Sequence, residues 1–236
     1  MTTFRRGGFM TAGRERILEL VYPTEGRLRS RKVVTRSRAR ATGKYPSWKM
    51  ERMVQWESHN ELNAFRLLDA TPEVLSYHEQ PLAIRYVIAG EEHIHYPDIL
   101  VERDGSRELW EIKPAAEAIR ERIVERTRLL QAALPNFGFA YRMVVAEDLA
   151  AQPRMANVLA LLKHGRKAPN VLQREQVRRA FLMNPVISWS NVTNGDLGPD
   201  GLASLCRLVL EGVISVDLGV PLSAGQFHFL DKVIGG

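Results

Sequence analysis

Cysteine is nearly missing from this chain. A single Cys206 among 236 residues excludes an internal disulfide framework and any multi-cysteine zinc site. Set in GLASLCRLVLEG, it reads as a small buried apolar side chain. Long apolar runs are also missing, since none approaches the roughly 18–20 residues of a membrane span. The opening MTTFRRGGFM has no apolar signal core. These two absences predict a cytoplasmic protein with no membrane role. There is no Gly-rich phosphate loop and no dinucleotide fingerprint, so ATP- and NAD-type readings lose their main support. Internal repeats are absent as well.

Acidic residues are scarce in one region only. Residues 1–50 hold 13 Lys/Arg against 3 Asp/Glu, a local +10 in a chain of net +6, which leaves −4 for everything after Met50. A basic arm on a mildly acidic body fits an anionic polymer partner. Within the arm, Arg29, Arg31, Lys32, Arg36, Arg38, Arg40 and Lys44 fall mostly at alternate positions. An extended or hairpin segment would present them in a row to a phosphate backbone, so these seven are the candidate DNA-binding residues. The expected organisation is a basic arm over 1–44, a catalytic domain over 45–150 and a smaller domain over 151–236.

Element by element, GRERILELVYP (13–23) reads as a short helix ended by Pro23, and residues 43–47 as a loop. A helix is expected from Lys49 to about Ala70, with Leu62, Phe65 and Leu68 at three-residue spacing. Strands follow at 74–77, 82–88, 93–101 and 107–113, the last pair joined by the turn signal Asp104-Gly105. An amphipathic helix over 115–134 carries Ile119, Ile123, Thr127 and Leu130 on one side. Gly138 to Ala146 then reads as a buried strand. This order predicts a compact α/β unit with a mixed sheet flanked by helices. Beyond it, 155–181 reads as helical, with a basic cluster from Lys163 to Arg179, and 184–200 as loop. A helix over 201–211 and two short strands, 213–218 and 226–230, complete a winged-helix-like module. Trp48, Trp56, Trp110 and Trp189 are scattered, which favours core anchoring over base stacking.

The chemistry concentrates in Pro97-Asp98 and, after a gap of twelve residues, Glu111-Ile112-Lys113. Alternation along a strand puts Leu109, Glu111 and Lys113 on one face and Glu108, Trp110 and Ile112 on the other. Two carboxylates and an ammonium at a sheet edge suit an oxygen-liganded divalent cation and a phosphate. Glu61 sits at the margin of the buried face of its helix and offers a fourth group. His93 and His95 share one face of their strand, and the even–odd count puts Asp98 on the other. They read as half-buried or DNA-facing rather than as metal ligands.

Glu61, Asp98, Glu111 and Lys113 match the PD-(D/E)XK nuclease pattern, which implies a restriction-endonuclease-like core. Glu61-Leu62 with Phe65, Gln80-Pro81-Leu82, Asp98-Ile99-Leu100-Val101 and Lys113-Pro114-Ala115-Ala116 further resemble the TnsA endonuclease subunit of heteromeric cut-and-paste transposases. The acid position can be Gln in that family; here Glu111 keeps the carboxylate set complete. Hard oxygen ligands with no cysteine or histidine cluster favour Mg²⁺, one ion or two, with Mn²⁺ as a substitute. Asp98 is then the central ligand, Glu111 and Glu61 complete the shells, and Lys113 orients or deprotonates the water. The resemblance adds the Ile112 carbonyl as a ligand. It further implies cleavage at the 5′ ends of a transposable element, a DDE-type transposase partner, an AAA+ regulatory ATPase and residence at the prokaryotic nucleoid. Two rivals remain: a stand-alone nuclease of the same fold in repair or restriction, and a DNA-binding adaptor without chemistry.

Overall fold

A computed structural model describes residues 15–23 and 41–230. Of the basic arm, Arg29, Arg31, Lys32, Arg36, Arg38 and Arg40 lie outside the described residues. Lys44 lies within them, exposed.

The chain enters on β1 (Arg16–Val21), β2 (Gly43–Ser47) and β3 (Arg52–Trp56), then α1 (His59–Asp69). The helix expected over 13–23 is a strand. It pairs antiparallel with β5 (Ala83–Ile88) through a shift between Ile17 and Glu19, and that pairing sends Ile17 and Leu20 toward the core. Pairing likewise overrides the local reading at 43–56, where β2 and β3 form a hairpin in place of a loop and the first turns of a helix. Gly43 is needed there, because a Cβ would run into the Trp56 ring. The helix starts only at His59, where the Ser58 side chain caps the amide of Glu61 and satisfies one of the open N-terminal donors.

After β4 (Val74–Glu79), β5 hairpins into β6 (Glu91–His95), and β7 (Ile99–Arg103) hairpins into β8 (Ser106–Lys113) across the turn at Asp104-Gly105. Gly105 has φ of 68°, the left-handed region glycine adopts without steric cost. The single strand expected over 93–101 is broken at Tyr96–Asp98. Pro97 has no amide to give a ladder, and the break lets the chain pass from one sheet to another. Next come α2 (Ala115–Ala118), α3 (Glu121–Ala133) and β9 (Ala140–Val145), which pairs parallel with β8. This is the crossover connection a parallel pair requires. The helix expected over 115–134 is interrupted at Ile119-Arg120, which leaves Ile119 on the surface.

The main sheet has the order β4-β7-β8-β9, and β1-β5-β6 form a second. One face of the main sheet (Tyr77, Ile99, Val101, Trp110, Ile112, Val144) packs on Ala64, Phe65 and Leu68 of α1 and on Tyr45 and Val54 of the hairpin. The other face (Leu100, Leu109, Tyr141) packs on the second sheet through Leu82, Ile84 and Tyr86, and on α3 through Leu129 and Leu130. Each fully buried side chain of this size stabilises the fold by about 1.5–3 kcal/mol. A mixed sheet covered on both faces is the α/β arrangement the strand and helix order predicted.

The remainder is α4 (Ala146–Leu149), α5 (Arg154–His164), α6 (Val171–Met183), β10 (Val186–Ser188), α7 (Trp189–Thr193), α8 (Gly201–Leu210), β11 (Ile214–Ser215) and β12 (Gln226–Phe229). The expected 155–181 helix is two helices, parted around Gly165 and Pro169. The expected 184–200 loop holds β10 and α7. The three strands form an antiparallel sheet in the order β10-β12-β11. Cys206 is buried, as read from its setting. Trp48 and Leu67 from the first unit pack against this third core.

Candidate active site

Asp98 sits one residue before β7. Ile99 pairs with Trp110, so the antiparallel register sets Asp98 opposite Glu111, on the face shared with Leu100 and Leu109. Adjacent non-bonded cross-strand side chains lie about 4.5–5.5 Å apart at Cβ. Asp98 is pinned at both ends. Its amide donates to the Trp110 carbonyl at 2.9 Å, and its Oδ2 accepts from the Ile112 amide at 2.7 Å.

Glu111 is 3% exposed. Its Oε1 takes two cations, Lys113 Nζ at 2.9 Å and Arg126 Nη2 at 3.0 Å. Its Oε2 is buried with no hydrogen-bond partner and lies 3.3 Å from His95 Nε2. That same nitrogen is 3.0 Å from the Tyr141 hydroxyl. Burial, reinforced by Arg126 and Lys113, holds the His95 imidazole well below the usual histidine range and therefore neutral. Burial and repulsion from Glu111, with a smaller push from Glu61, hold the Asp98 carboxyl well above its ordinary range, against the pull of Lys113 and the Ile112 amide. Burial alone would lower Lys113, but attraction to Glu111 and Asp98 outweighs it and raises the ammonium above the usual lysine range. A lysine held charged in this way is an electrostatic group and a hydrogen-bond donor.

Glu61 occupies the third position of α1. Its Oε2 accepts from the Glu57 amide at 2.9 Å and its Oε1 from the Ser58 hydroxyl at 2.9 Å. Its carboxylate is therefore part of the helix cap while its charge is felt at Asp98. Asp98, Glu111 and Lys113 come together as one cluster, with Glu61 beside it at the helix start. Among the described residues, no three His, Cys, Asp or Glu side chains form a set that could hold a metal ion by themselves. A pair of carboxylates fits Mg²⁺ nevertheless, because that ion keeps several waters and commonly takes only one or two protein carboxylates. The unsatisfied Glu111 Oε2 and the repulsion between Asp98 and Glu111 are compatible with a pair of cation ligands.

Sequence reasoning missed Arg126, His95 and Tyr141. Arg126 had a visible signal: it lies three residues after Ile123 and four before Leu130, on the buried stripe of α3, where an arginine needs a carboxylate. His95 is buried, whereas His93 is exposed and stacks on Tyr86. The basic cluster from Lys163 to Arg179 is smaller than its sequence promised. Arg174 pairs with Glu211, and both Arg178 and Arg179 pair with Glu175. Lys163, Arg166 and Lys167 remain exposed.

Among the described residues, no helix is long and apolar enough to cross a membrane. No curated protein matches the chain. A family model described as TnsA-like endonuclease N terminal matches residues 71–146. That stretch runs from the end of α1 through β9 and contains Asp98, Glu111, Lys113 and Arg126, but not Glu61. Over this segment the chain is similar to the TnsA-like endonucleases.

Proposed function

We propose that this protein is a Mg²⁺-dependent DNA endonuclease that hydrolyses phosphodiester bonds at the 5′ ends of a transposable element, as one subunit of a cut-and-paste transposase. The observation that carries the reading is Glu111: buried, anchored by two cations on one oxygen and left without a hydrogen-bond partner on the other. Asp98, Glu111 and the Ile112 carbonyl would hold the ion, with Glu61 reaching it or a second ion from the start of α1. Mn²⁺ would substitute. When bound, the ion would supply the charge that makes a coordinated water nucleophilic and neutralises the phosphate.

The chain's own residues do the rest. The Ile112 amide fixes Asp98 against β8, which presets the distance between the two carboxylates. Lys113 offers a donor to the attacking water and positive charge to the phosphorane oxygens. Arg126 holds the back of Glu111, so that its free oxygen keeps one direction. The residues of the basic arm, Arg29 to Arg40 with Lys44, would grip the phosphate backbone with little regard for sequence. The C-terminal order helix–strand–helix–helix–strand–strand, from α6 to β12, supports the reading of a winged-helix-like unit. Its α8 is buried on most sides, with Arg207 stacked 4.0 Å from the Trp48 ring. This unit would therefore serve contact with partners (a DDE-type transposase and an AAA+ ATPase) rather than base reading.

The test is cleavage of end-containing duplex DNA with Mg²⁺ and the candidate transposase partner. Asp98→Ala and Lys113→Ala should each abolish the 5′ cut while the partner's own cut persists; an unchanged pattern overturns the nuclease assignment. Neutralising Arg36, Arg38 and Arg40 together should flatten the slope of log K against log salt by about 3, close to one unit for each phosphate no longer neutralised. An unchanged slope removes the arm from DNA binding.

A further inference from the structure

Gln80 joins β4 to β5 and takes no part in the ion pairs around Glu111. Three features set it apart. Its φ is 46°, a left-handed conformation that a non-glycine residue adopts only at a cost. Pro81 follows it, which narrows the backbone choices further. Its side chain is 9% exposed, and the carbonyl oxygen Oε1 is buried without a hydrogen-bond partner. Such strain and such an orphan persist only where the surroundings enforce them, and they gather at functional sites.

The surroundings identify the site. The Gln80 amide donates to the Asp98 carbonyl at 2.8 Å. The Gln80 Nε2 donates to Glu57 Oε1 at 2.9 Å, and the Glu57 amide donates to Glu61 Oε2 at 2.9 Å. One residue thus ties the strand start that carries Asp98 to the helix start that carries Glu61, over a chain separation of 37 residues between those two acids. A glutamine that merely filled space would not need a left-handed backbone, and its carbonyl would be satisfied.

We propose that Gln80 is a positioning residue of the nuclease site: a strained clamp that fixes Asp98 relative to the Glu57–Glu61 end of α1. The proposal rests on the reading of Asp98 as a cation ligand given above. The left-handed turn aims the main-chain amide at one element and the side-chain amide at the other. The free Oε1 is left as a neutral acceptor that only a water or a cation-bound water can satisfy.

The full chain is compared with Gln80→Gly, Gln80→Glu, the reversed pair Gln80→Glu with Glu57→Gln, and Asp98→Ala. Three quantities are read: the thermal midpoint, Mn²⁺ affinity by calorimetry, and single-turnover nicking of supercoiled plasmid in Mn²⁺. Gln80→Gly adopts the turn freely but lacks the clamp. Its midpoint should be unchanged or higher, with Mn²⁺ affinity at least threefold weaker and nicking about tenfold slower. Gln80→Glu keeps the shape but sets a carboxylate against Glu57, and should lose at least as much. The reversed pair restores an amide-to-carboxylate bond and should regain most of both. A Gln80→Gly variant with wild-type affinity and nicking overturns the clamp, as does a folded reversed pair that recovers neither. If Asp98→Ala binds Mn²⁺ as the wild type does, the cation reading falls and the clamp with it; if Asp98→Ala loses binding while Gln80→Gly retains it, the clamp alone falls.

Discussion

Two buried carboxylate sites in this molecule, Asp69 alone and Asp98 with Glu111, are treated differently. Asp69, the last residue of α1, has no exposed surface, yet every oxygen is met. Ser47 and Tyr77 donate to Oδ1 at 2.6 and 2.9 Å, Tyr45 donates to Oδ2 at 2.8 Å, and Trp48 Nε1 donates to its carbonyl at 3.1 Å. Burial still raises its pKa, while the hydroxyls pull the other way. Glu111 and Asp98 are given the reverse. Cations crowd one oxygen of Glu111 and none of its neighbours completes the other. Asp98, already repelled by Glu111, has the Ile112 amide as its hydrogen-bond donor. A carboxylate the fold satisfies with neutral donors is there to join elements, here β2, β4 and α1. A carboxylate pair left in mutual repulsion fits the proposed role as ligands of an arriving cation.

The comparison breaks most visibly if Asp98 and Asp69 are exchanged in importance. Asp98→Ala should slow DNA cleavage by about 100-fold or more, read as single-turnover rate in Mg²⁺. Asp98→Asn should slow it comparably yet raise stability by about 1 kcal/mol. It keeps the acceptor for the Ile112 amide and removes the repulsion from Glu111, the usual trade of stability against function. Loss of stability in the Asn variant, measured by denaturant unfolding, would place Asp98 with Asp69 as a structural acid.

Asp69→Ala should do the opposite. It strands two tyrosine hydroxyls and one serine hydroxyl, and those groups can re-pair only in part. A cost of about 2–4 kcal/mol is expected, with cleavage per folded molecule unchanged. A cleavage loss well beyond the folded fraction would mean that the two acids are coupled through α1, whose first turn carries Glu61.

How legible was this in the sequence? The main sheet was, because its strands carry a period-2 pattern and their turns carry their own chemistry, as at Asp104-Gly105. Asp98, Glu111 and Lys113 were legible for the same reason: register fixes faces, and faces fix neighbours. The segments at 16–21 and 43–56 were not. GRERILELV carries helix-friendly residues, and only the partner strand β5 makes it extended, a contact some 66 residues away in the Glu19–Arg85 pair. Asp69 gave no signal at all, since its donors at 45, 47 and 77 are ordinary aromatic and hydroxyl residues until the hairpin folds over α1. Gln80 belongs to the Gln80-Pro81-Leu82 resemblance, but its left-handed backbone is set by the three-dimensional path and carries no mark in the sequence.

The smallest expected effect tests how tightly the Asp69 region is built. Lys49, beside Asp69, donates from Nζ to the Thr71 and Val74 carbonyls at 2.5 and 2.7 Å. Burial lowers its pKa to about 8, with Asp69 and Glu73 resisting. The unfolded chain keeps the ordinary lysine value, 10.5. Between those two pH values the unfolded state binds the extra proton, so stability rises with pH across the window and the burial cost is fully felt only below it. A neutral amine still has two N–H groups for the two carbonyls, so the bonds survive the loss of charge. The gain is on the order of 1 kcal/mol after discounting for partial exposure. Buried tyrosines such as Tyr45 and Tyr77, whose pKa values are raised, oppose it near the top of the window. Lys49→Met is therefore the reference: the wild type should gain on it steadily from about pH 8 to 10.5, in denaturant midpoints taken at half-unit steps. Parallel curves would show that Lys49 is as well solvated as a surface lysine, and that the satisfied region around Asp69 is looser than its hydroxyl contacts imply.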